Sequence, residues 1–440
     1  MKPTAGPATA IGHVIDLVCL VCGRRFAPDE IDYLCPDHGD DGILDVVYDH
    51  ERIARDLSPA SLALDHDHSM WRYRPLLPVA STSTVPPLRV GWTPLYAAPR
   101  LGADLGLPRL WVKDEGVQPT GSLKDRASAV AVVKAREVGA QVVTTASTGN
   151  AAAALAGVAA SVGQPVTIFV PATAPEAKVA QLLAYGSTVL LVEGTYGDAF
   201  ELSMRAADRF GWYVRNTGVN PYMSEGKKTA AFEIAEQLDW QAPDVVTVGV
   251  GDGCIIGGLH KGFRDLFALG WIDRMPRLVG VQAEGSDYLA QAWEGNEDVV
   301  TKPGIDADTV ADSISAGRPA DRIKAMRAVR DTGGAFVRVS DEQILAAIPE
   351  LARGCGVFAE PAAAAAYAGL RVAVDQRLVA TDDRVVVLAT GTGLKDVPSA
   401  MRSIGDAGIE PLRVRPDLDA VAEALSTHQS PAPTSGEGAP

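Results

Sequence analysis

Four residues near the amino terminus have the types and spacing of a tetrahedral metal site. Cys19-Leu-Val-Cys22 is followed by Gly23, and Cys35-Pro-Asp-His38 by Gly39, with twelve residues between the pairs. A two-residue spacer lets two side chains converge from one tight turn, and the glycine beyond tolerates the positive φ such a turn demands. Four filled positions leave none open for substrate, so the pattern reads as a structural zinc site in a zinc-ribbon-like segment. The plainer reading is a ribbon that keeps its turns but holds no metal, with His38 exposed. Cys254 and Cys355 stand alone, and five cysteines so placed are no disulfide framework.

Three further segments put reactive or anion-binding groups where a strand gives way to a helix. Pro119-Thr120-Gly121-Ser122-Leu123-Lys124-Asp125-Arg126 precedes an alanine-rich helical run. A lysine just inside a helix start sits near the helix's partial positive end, which disfavours its charged form and leaves a better amine nucleophile. The bland alternative for Lys124 is a surface salt bridge with Asp125. Ser147-Thr148-Gly149-Asn150 follows the strand pattern VVTTA, and its N–H groups and hydroxyls suit a carboxylate, although alone it is an ordinary turn and cap. The loop Gly251-Asp252-Gly253-Cys254-Ile255 again joins a strand to a helix and can offer several N–H groups to an anion. It matches neither the dinucleotide fingerprint nor the P-loop. A reactive amine, a carboxylate-sized turn and a phosphate cradle, in that order, are what a phosphorylated aldehyde cofactor and an amino acid require, which is pyridoxal phosphate chemistry.

Such loops need strands and helices to hold them. Strand patterns fall at Gln141–Thr145, Val166–Val170, Thr188–Val192, Trp212–Arg215, Val245–Gly249, Leu278–Gln282, Phe336–Val339 and Arg384–Ala389. Helical patterns run through Ala151–Val162, Glu176–Tyr185, Ala199–Phe210 and Gly226–Leu238. Strands separated by helices of this length predict an α/β fold, with two open parallel-type sheets, flanking helices and a ligand cleft between them. The chain of 440 residues carries 40 Lys plus Arg against 55 Asp plus Glu, a net charge of −15. That balance speaks against a nucleic-acid partner. No apolar run is long enough for a membrane span and the first residues lack a signal-peptide core, so the expectation is a cytoplasmic protein with a small-molecule substrate. Residues 1–13 and 413–440, rich in Pro, Ala, Ser, Thr and Gly, are expected to be disordered, the latter mostly so.

The residues also resemble a known family. PTGSLKDR, ASTGN, EGKKTAAFEIAEQL, the Gly251–Ile255 loop and TGTGLKD, in that order, resemble the tryptophan-synthase-β-like, fold type II family of pyridoxal phosphate enzymes. Within it they are most similar to the threonine-synthase-like branch. GWTPLY at Gly91–Tyr96, Glu360-Pro361 with its alanines and the amino-terminal turns fit the same branch. The resemblance implies a zinc-ribbon-like segment at 14–49, a large cofactor domain from 50–135 and 220–412, and a small substrate domain at 136–219. It implies Lys124 as the lysine that bonds the cofactor, and Asn150 at its 3-hydroxyl. The backbone of Gly251, Asp252, Gly253, Cys254 and Ile255 would lie at its phosphate, Thr390 at its ring nitrogen, and Ser147, Thr148 and Asn150 at the substrate carboxylate. The implied activity is elimination or replacement on a small L-amino acid, O-phosphohomoserine going to threonine and phosphate, in a homodimer. A hydroxyl such as Thr390 does not hold the ring nitrogen protonated, which suits loss of a β or γ leaving group better than transamination. Lys124, once released, is the natural base for the α-proton.

Two positions depart from the branch. Ala151 follows STGN where the branch has Thr, and Met223 stands where it has an Arg that grips the substrate phosphate. A thioether supplies no positive charge. The competing readings are a paralogue turned to β-replacement or deamination of a serine- or threonine-type substrate, and a catalytically silent sensor of cofactor or amino acid.

Overall fold

The computed structural model describes residues 12–406, 408 and 410–427. The expectations for residues 1–11 and 428–440 lie outside the described residues. A three-stranded antiparallel sheet comes first, β1 (Val14–Cys19), β2 (Arg25–Phe26) and β3 (Leu44–Tyr48), in the order β2-β1-β3. The chain then lays down β4 (Leu95–Ala97) and β5 (Leu110–Asp114), and leaves them for β6 (Val143–Ala146), β7 (Val166–Pro171), β8 (Thr188–Val192) and β9 (Tyr213–Val214). It returns for β10 (Val245–Gly249), β11 (Arg277–Ala283), β12 (Ala335–Val339) and β13 (Val385–Ala389). Two open sheets result. The larger runs β12-β11-β10-β13-β5-β4, parallel except for the antiparallel edge strand β4, and the smaller, all parallel, runs β8-β7-β6-β9.

The α/β fold with two parallel-type sheets is therefore the one the strand and helix pattern predicts. Each of the eight expected strands is present within one or two residues of its expected bounds. Central strands such as VVTVG and VVVLA are buried along their whole length, as parallel strands covered on both faces must be. Strands β4 and β5 are not among the eight, since β4 is short and β5 carries Lys113 and Asp114 in an otherwise apolar run. The expected helix Gly226–Leu238 is divided into Met223–Lys227 and Thr229–Gln237. At the joint Thr229 Oγ1 donates back to Gly226 O at 2.7 Å, a local bond that competes with the helix's own. The stretch 413–427, expected as part of a disordered tail, holds a helix from Leu418 to Thr427. Asp417 Oδ1 accepts the Ala420 N–H at 2.7 Å at its start, a cap that composition alone does not reveal.

Small residues let the helices lie close to the sheets. In the helix Pro361–Asp375 a Cβ at Gly369 would come within 2.2 Å of the Val281 side chain on β11, so only glycine permits that approach. Behind the lysine motif sits a buried ionic group. Arg126 reaches Glu115 through Nε and Nη2, both at 2.7 Å, and Glu233 through Nη1 at 2.6 Å and Nη2 at 2.7 Å. Lys113 Nζ donates to Glu233 at 2.7 Å, and all four side chains are fully buried. The group ties β5 and the helices Lys124–Glu137 and Thr229–Gln237 together two residues from Lys124. Among the described residues no helix is long and apolar enough to cross a membrane.

Candidate active site

Three chain segments that are far apart in sequence are strapped together at the carboxyl ends of the large sheet's strands. Leu123 N–H donates to Thr390 O at 2.9 Å and Thr392 N–H to Gly121 O at 3.0 Å, while Glu360 N–H donates to Gly391 O at 3.0 Å. A small cavity beneath them is lined by Lys124, Asn150, Ile255, Ser313, Glu360 and Thr390, among others. Beside it, sharing Asn150, Ser313 and Glu360, lies a cleft of about 120 Å³ that also takes in Thr148, Gly149 and Lys395. The sequence-predicted Lys124, Asn150, Thr148, Ile255 and Thr390 thus meet in one place, and Ser147 lies one residue from the cleft, half-buried, with its Oγ accepting the Gly149 N–H at 3.2 Å.

Lys124 is the first residue of the helix Lys124–Glu137, as its motif predicts. The surface salt bridge with Asp125 is not formed. Asp125 is buried and turned to Thr120, accepting from its N–H at 2.7 Å and from its hydroxyl. Burial, with the nearby Lys227 as the next cause, pulls the Lys124 amine down to about 8. The lowering expected from the helix's positive end therefore comes mostly from desolvation and a neighbouring cation.

Asn150 opens the helix Asn150–Ala160, and its Nδ2 donates to Glu360 at 2.8 Å and 3.0 Å and to Ser313 Oγ at 3.4 Å. Glu360 is the principal residue of the cavity that motif reasoning did not assign to the site. Burial raises its carboxyl to about 6 despite the Asn150 hydrogen bond, so near neutrality it exchanges a proton readily. The available signal was an acidic residue directly before a run of alanines, a helix start whose caps need no carboxylate. Ser313 comes from a single 3-10 turn, Asp312–Ile314, with no motif.

The Gly251–Ile255 loop leads from β10 into the helix Cys254–Ala268. Gly253 takes φ of +88°, and a Cβ there would lie 2.8 Å from that of Ala325. Gly257 N–H meets Gly253 O at 3.0 Å, so the N–H groups before it are those a helix start cannot satisfy internally and can turn to an anion. The Asp252 carboxylate is exposed and accepts the Ala320 N–H at 3.2 Å. Met223 is buried at the start of its short helix.

Away from this cleft, the donor atoms of Cys19, Cys22, Cys35 and His38 lie within 4.8 Å of one another. His38 Nδ1 is 3.5 Å from Cys35 Sγ and 3.9 Å from Cys19 Sγ. Gly23 and Gly39 take φ of +75° and +51°, the conformation for which the turns need glycine. The ribbon docks on the helix behind the Gly251 loop, with Asp45 accepting from Lys261 at 2.8 Å and Arg264 at 2.9 Å.

An amine held near neutrality, a cradle of unpaired N–H groups, the Thr390 hydroxyl and an orphaned buried Ser122 hydroxyl are a donor set that fits pyridoxal phosphate. The comparisons agree. The profile of the family described as pyridoxal-phosphate dependent enzyme matches residues 87–391. Threonine synthase of Methanosarcina acetivorans is 40% identical over 93% of this chain and 98% of its own. That of Methanocaldococcus jannaschii is 37% identical over 92% and 98%. Among solved structures, processed threonine deaminase isoform 2 of Solanum lycopersicum superposes with a TM-score of 0.60 at 22% identity, over 72% of this chain and 88% of that one; this likeness carries the fold alone. The chain belongs to the family of pyridoxal-phosphate-dependent enzymes, as a threonine-synthase-like lyase of fold type II.

Proposed function

We propose that the chain is a threonine synthase, turning O-phospho-L-homoserine and water into L-threonine and phosphate. The observation that carries the reading is the meeting of Lys124, Asn150, Glu360 and Thr390 around one cavity, in a chain 40% identical over nearly its full length to a threonine synthase. Lys124 would bond the cofactor, Asn150 would hold its 3-hydroxyl, the Gly251–Ile255 N–H groups its phosphate, and Thr390 its ring nitrogen. When bound, the cofactor supplies the electron sink that makes a substrate α-proton acidic. Ser147, Thr148 and Asn150 orient the substrate carboxylate at a helix start. Lys124 Nζ takes the proton from the α-carbon. Glu360 keeps Asn150 in place. Residues 136–219, which include the smaller sheet, serve as the substrate domain against a large domain of 50–135 and 220–412, in a cytoplasmic homodimer.

The test is to add O-phospho-L-homoserine to purified, cofactor-loaded protein and quantify phosphate and threonine together. Equal amounts of the two are expected. Ammonia from serine or threonine with no phosphate release would instead favour a repurposed paralogue. The Lys124 amine is protonated, and so unreactive toward the aldehyde, below about 8. Recombination of cofactor-free protein with pyridoxal phosphate should therefore speed up as pH rises through about 8 and then level off, with Lys227→Gln moving the inflection upward. A rate indifferent to pH across that range would remove Lys124 from this role.

Cys19, Cys22, Cys35 and His38 would hold a structural zinc ion, closed to substrate. Metal analysis should find zinc in freshly purified protein, and a chelator should lower the melting temperature by several degrees while leaving the rate of still-folded enzyme unchanged. Metal-free protein of undiminished stability would refute the site.

A further inference from the structure

Glu360 is a buried carboxyl whose hydrogen-bond partner is an amide and not a cation. It stands directly before the helix Pro361–Asp375, and its N–H donates to Gly391 O at 3.0 Å. A Cβ at Gly391 would lie 2.5 Å from Glu360 Oε1, so the carboxyl packs against bare backbone that only glycine leaves open. Asn150 Nδ2 spends its two hydrogens on Glu360, at 2.8 Å and 3.0 Å to the two oxygens, and on Ser313 Oγ at 3.4 Å. The acceptor of the same amide, Oδ1, has no hydrogen-bond partner among the described residues, and Asn150 lines the cavity that holds Lys124 and Thr390.

Three cations face Glu360 at longer range. Lys124 comes from the helix Lys124–Glu137, Lys395 from the turn Gly393–Lys395 and Lys178 from the helix Glu176–Ala184. Lys178 is paired with Asp312 at 2.6 Å, and Lys395 donates to Gln181 Oε1 at 3.1 Å and feels the charge of Asp125. Burial outweighs these cations and the Asn150 hydrogen bond, and leaves the carboxyl at about 6. A glutamine would hold Asn150 by the same hydrogen bond without the cost of burying a charge. What a carboxyl adds is a proton that comes and goes near neutrality.

An amide can turn either end to a ligand. With Glu360 ionised, Nδ2 is committed to the carboxylate and Oδ1 is left to accept. With Glu360 protonated, its O–H donates to Oδ1 once the amide has turned end for end, and Nδ2 is left to donate. We propose that Glu360 is a positioning residue that, through the Asn150 amide, sets whether the cofactor's 3-oxygen meets an acceptor or a donor. As Glu360 gives its proton to solvent and the amide turns, the proton held between the ring oxygen and the Lys124 nitrogen is drawn onto the oxygen. The inference deepens the proposed function and rests on it for the place of Asn150 at that oxygen.

The test follows the absorbance of holoenzyme against pH with no substrate present. The cofactor absorbs at longer wavelength with its 3-oxygen ionised than with it protonated. As the pH rises through about 6, the longer-wavelength band is expected to give way to the shorter, the reverse of what ionisation of the ring oxygen itself would produce. Glu360→Gln, which can hydrogen-bond Asn150 but cannot titrate, should remove the inflection with cofactor content unchanged. Asn150→Ala should remove it although Glu360 remains. Parent spectra that are indifferent to pH, or that move in the ordinary direction, would overturn the proposal without any variant having to fold. An inflection kept in Glu360→Gln would assign the titration to another group, and one kept in Asn150→Ala would show the carboxylate acting through space, and either result also overturns it. The inverted titration without turnover of O-phospho-L-homoserine would keep the role of Glu360 and discard the threonine-synthase reading, whereas turnover with flat spectra would do the opposite.

Discussion

Replacing Lys124 by alanine is expected to abolish turnover, lowering kcat/KM by more than about 10³-fold, because in the proposed reading one side chain both anchors the cofactor and moves the α-proton. The same variant should lose the visible absorbance of covalently held cofactor while its far-ultraviolet dichroism and melting temperature stay close to the parent's. Stability should be little affected, since Lys124 makes no ion pair among the described residues that its removal would orphan, and its charged form is already disfavoured by burial and by Lys227. Added primary amines of small size should restore a measurable fraction of the rate by entering the space the side chain vacates. Activity retained in Lys124→Ala would sink the catalytic assignment outright, whatever substrate the protein proves to use.

The largest effect on stability is expected from Glu233→Ala. Glu233 accepts from Arg126 and Lys113 and also receives the Trp92 N–H at 2.7 Å. Burial alone would raise its carboxyl, yet Arg126 and Lys113 hold it down to about 2. Truncation leaves two buried cations short of a counter-charge, a defect of about 3–5 kcal/mol for a broken buried pair. Because the network ties β5 to the helix that begins at Lys124, cofactor content should fall with stability. A denaturant midpoint indistinguishable from the parent's would show that the network is dispensable. Glu233→Gln keeps the shape and one accepting oxygen for Arg126 but loses the charge and the second acceptor, and should lie between the parent and the alanine variant.

What could be read from the sequence follows from where its information is local. The amino-terminal Cys/His turns were legible because the spacing of their side chains and the positive φ of Gly23 and Gly39 are properties of a few adjacent residues. The strand and helix succession was legible because buried parallel strands are continuous apolar runs bounded by turn signals. Lys124, Asn150 and Thr390, each in a short ordered motif that carries the family resemblance, line one cavity. Strands β4 and β5 were not legible, as charged Lys113 and Asp114 break the apolar pattern that marks a strand.

Other features depended on groups brought together by the fold. Glu360 becomes a site residue only because Asn150, 210 positions earlier in the chain, is placed 2.8 Å from it. The depressed basicity of Lys124 comes from burial and from Lys227 on another helix, not chiefly from its own helix start. Nothing in the sequence marks Arg215 and Lys227 as interior residues; packing buries both. Sequence by itself determined the fold class, the order of the motifs and the cofactor chemistry, because these reside in local pattern. Tertiary structure alone decided which charges are buried and uncompensated, because desolvation and Coulomb interaction depend on distance through space and not along the chain.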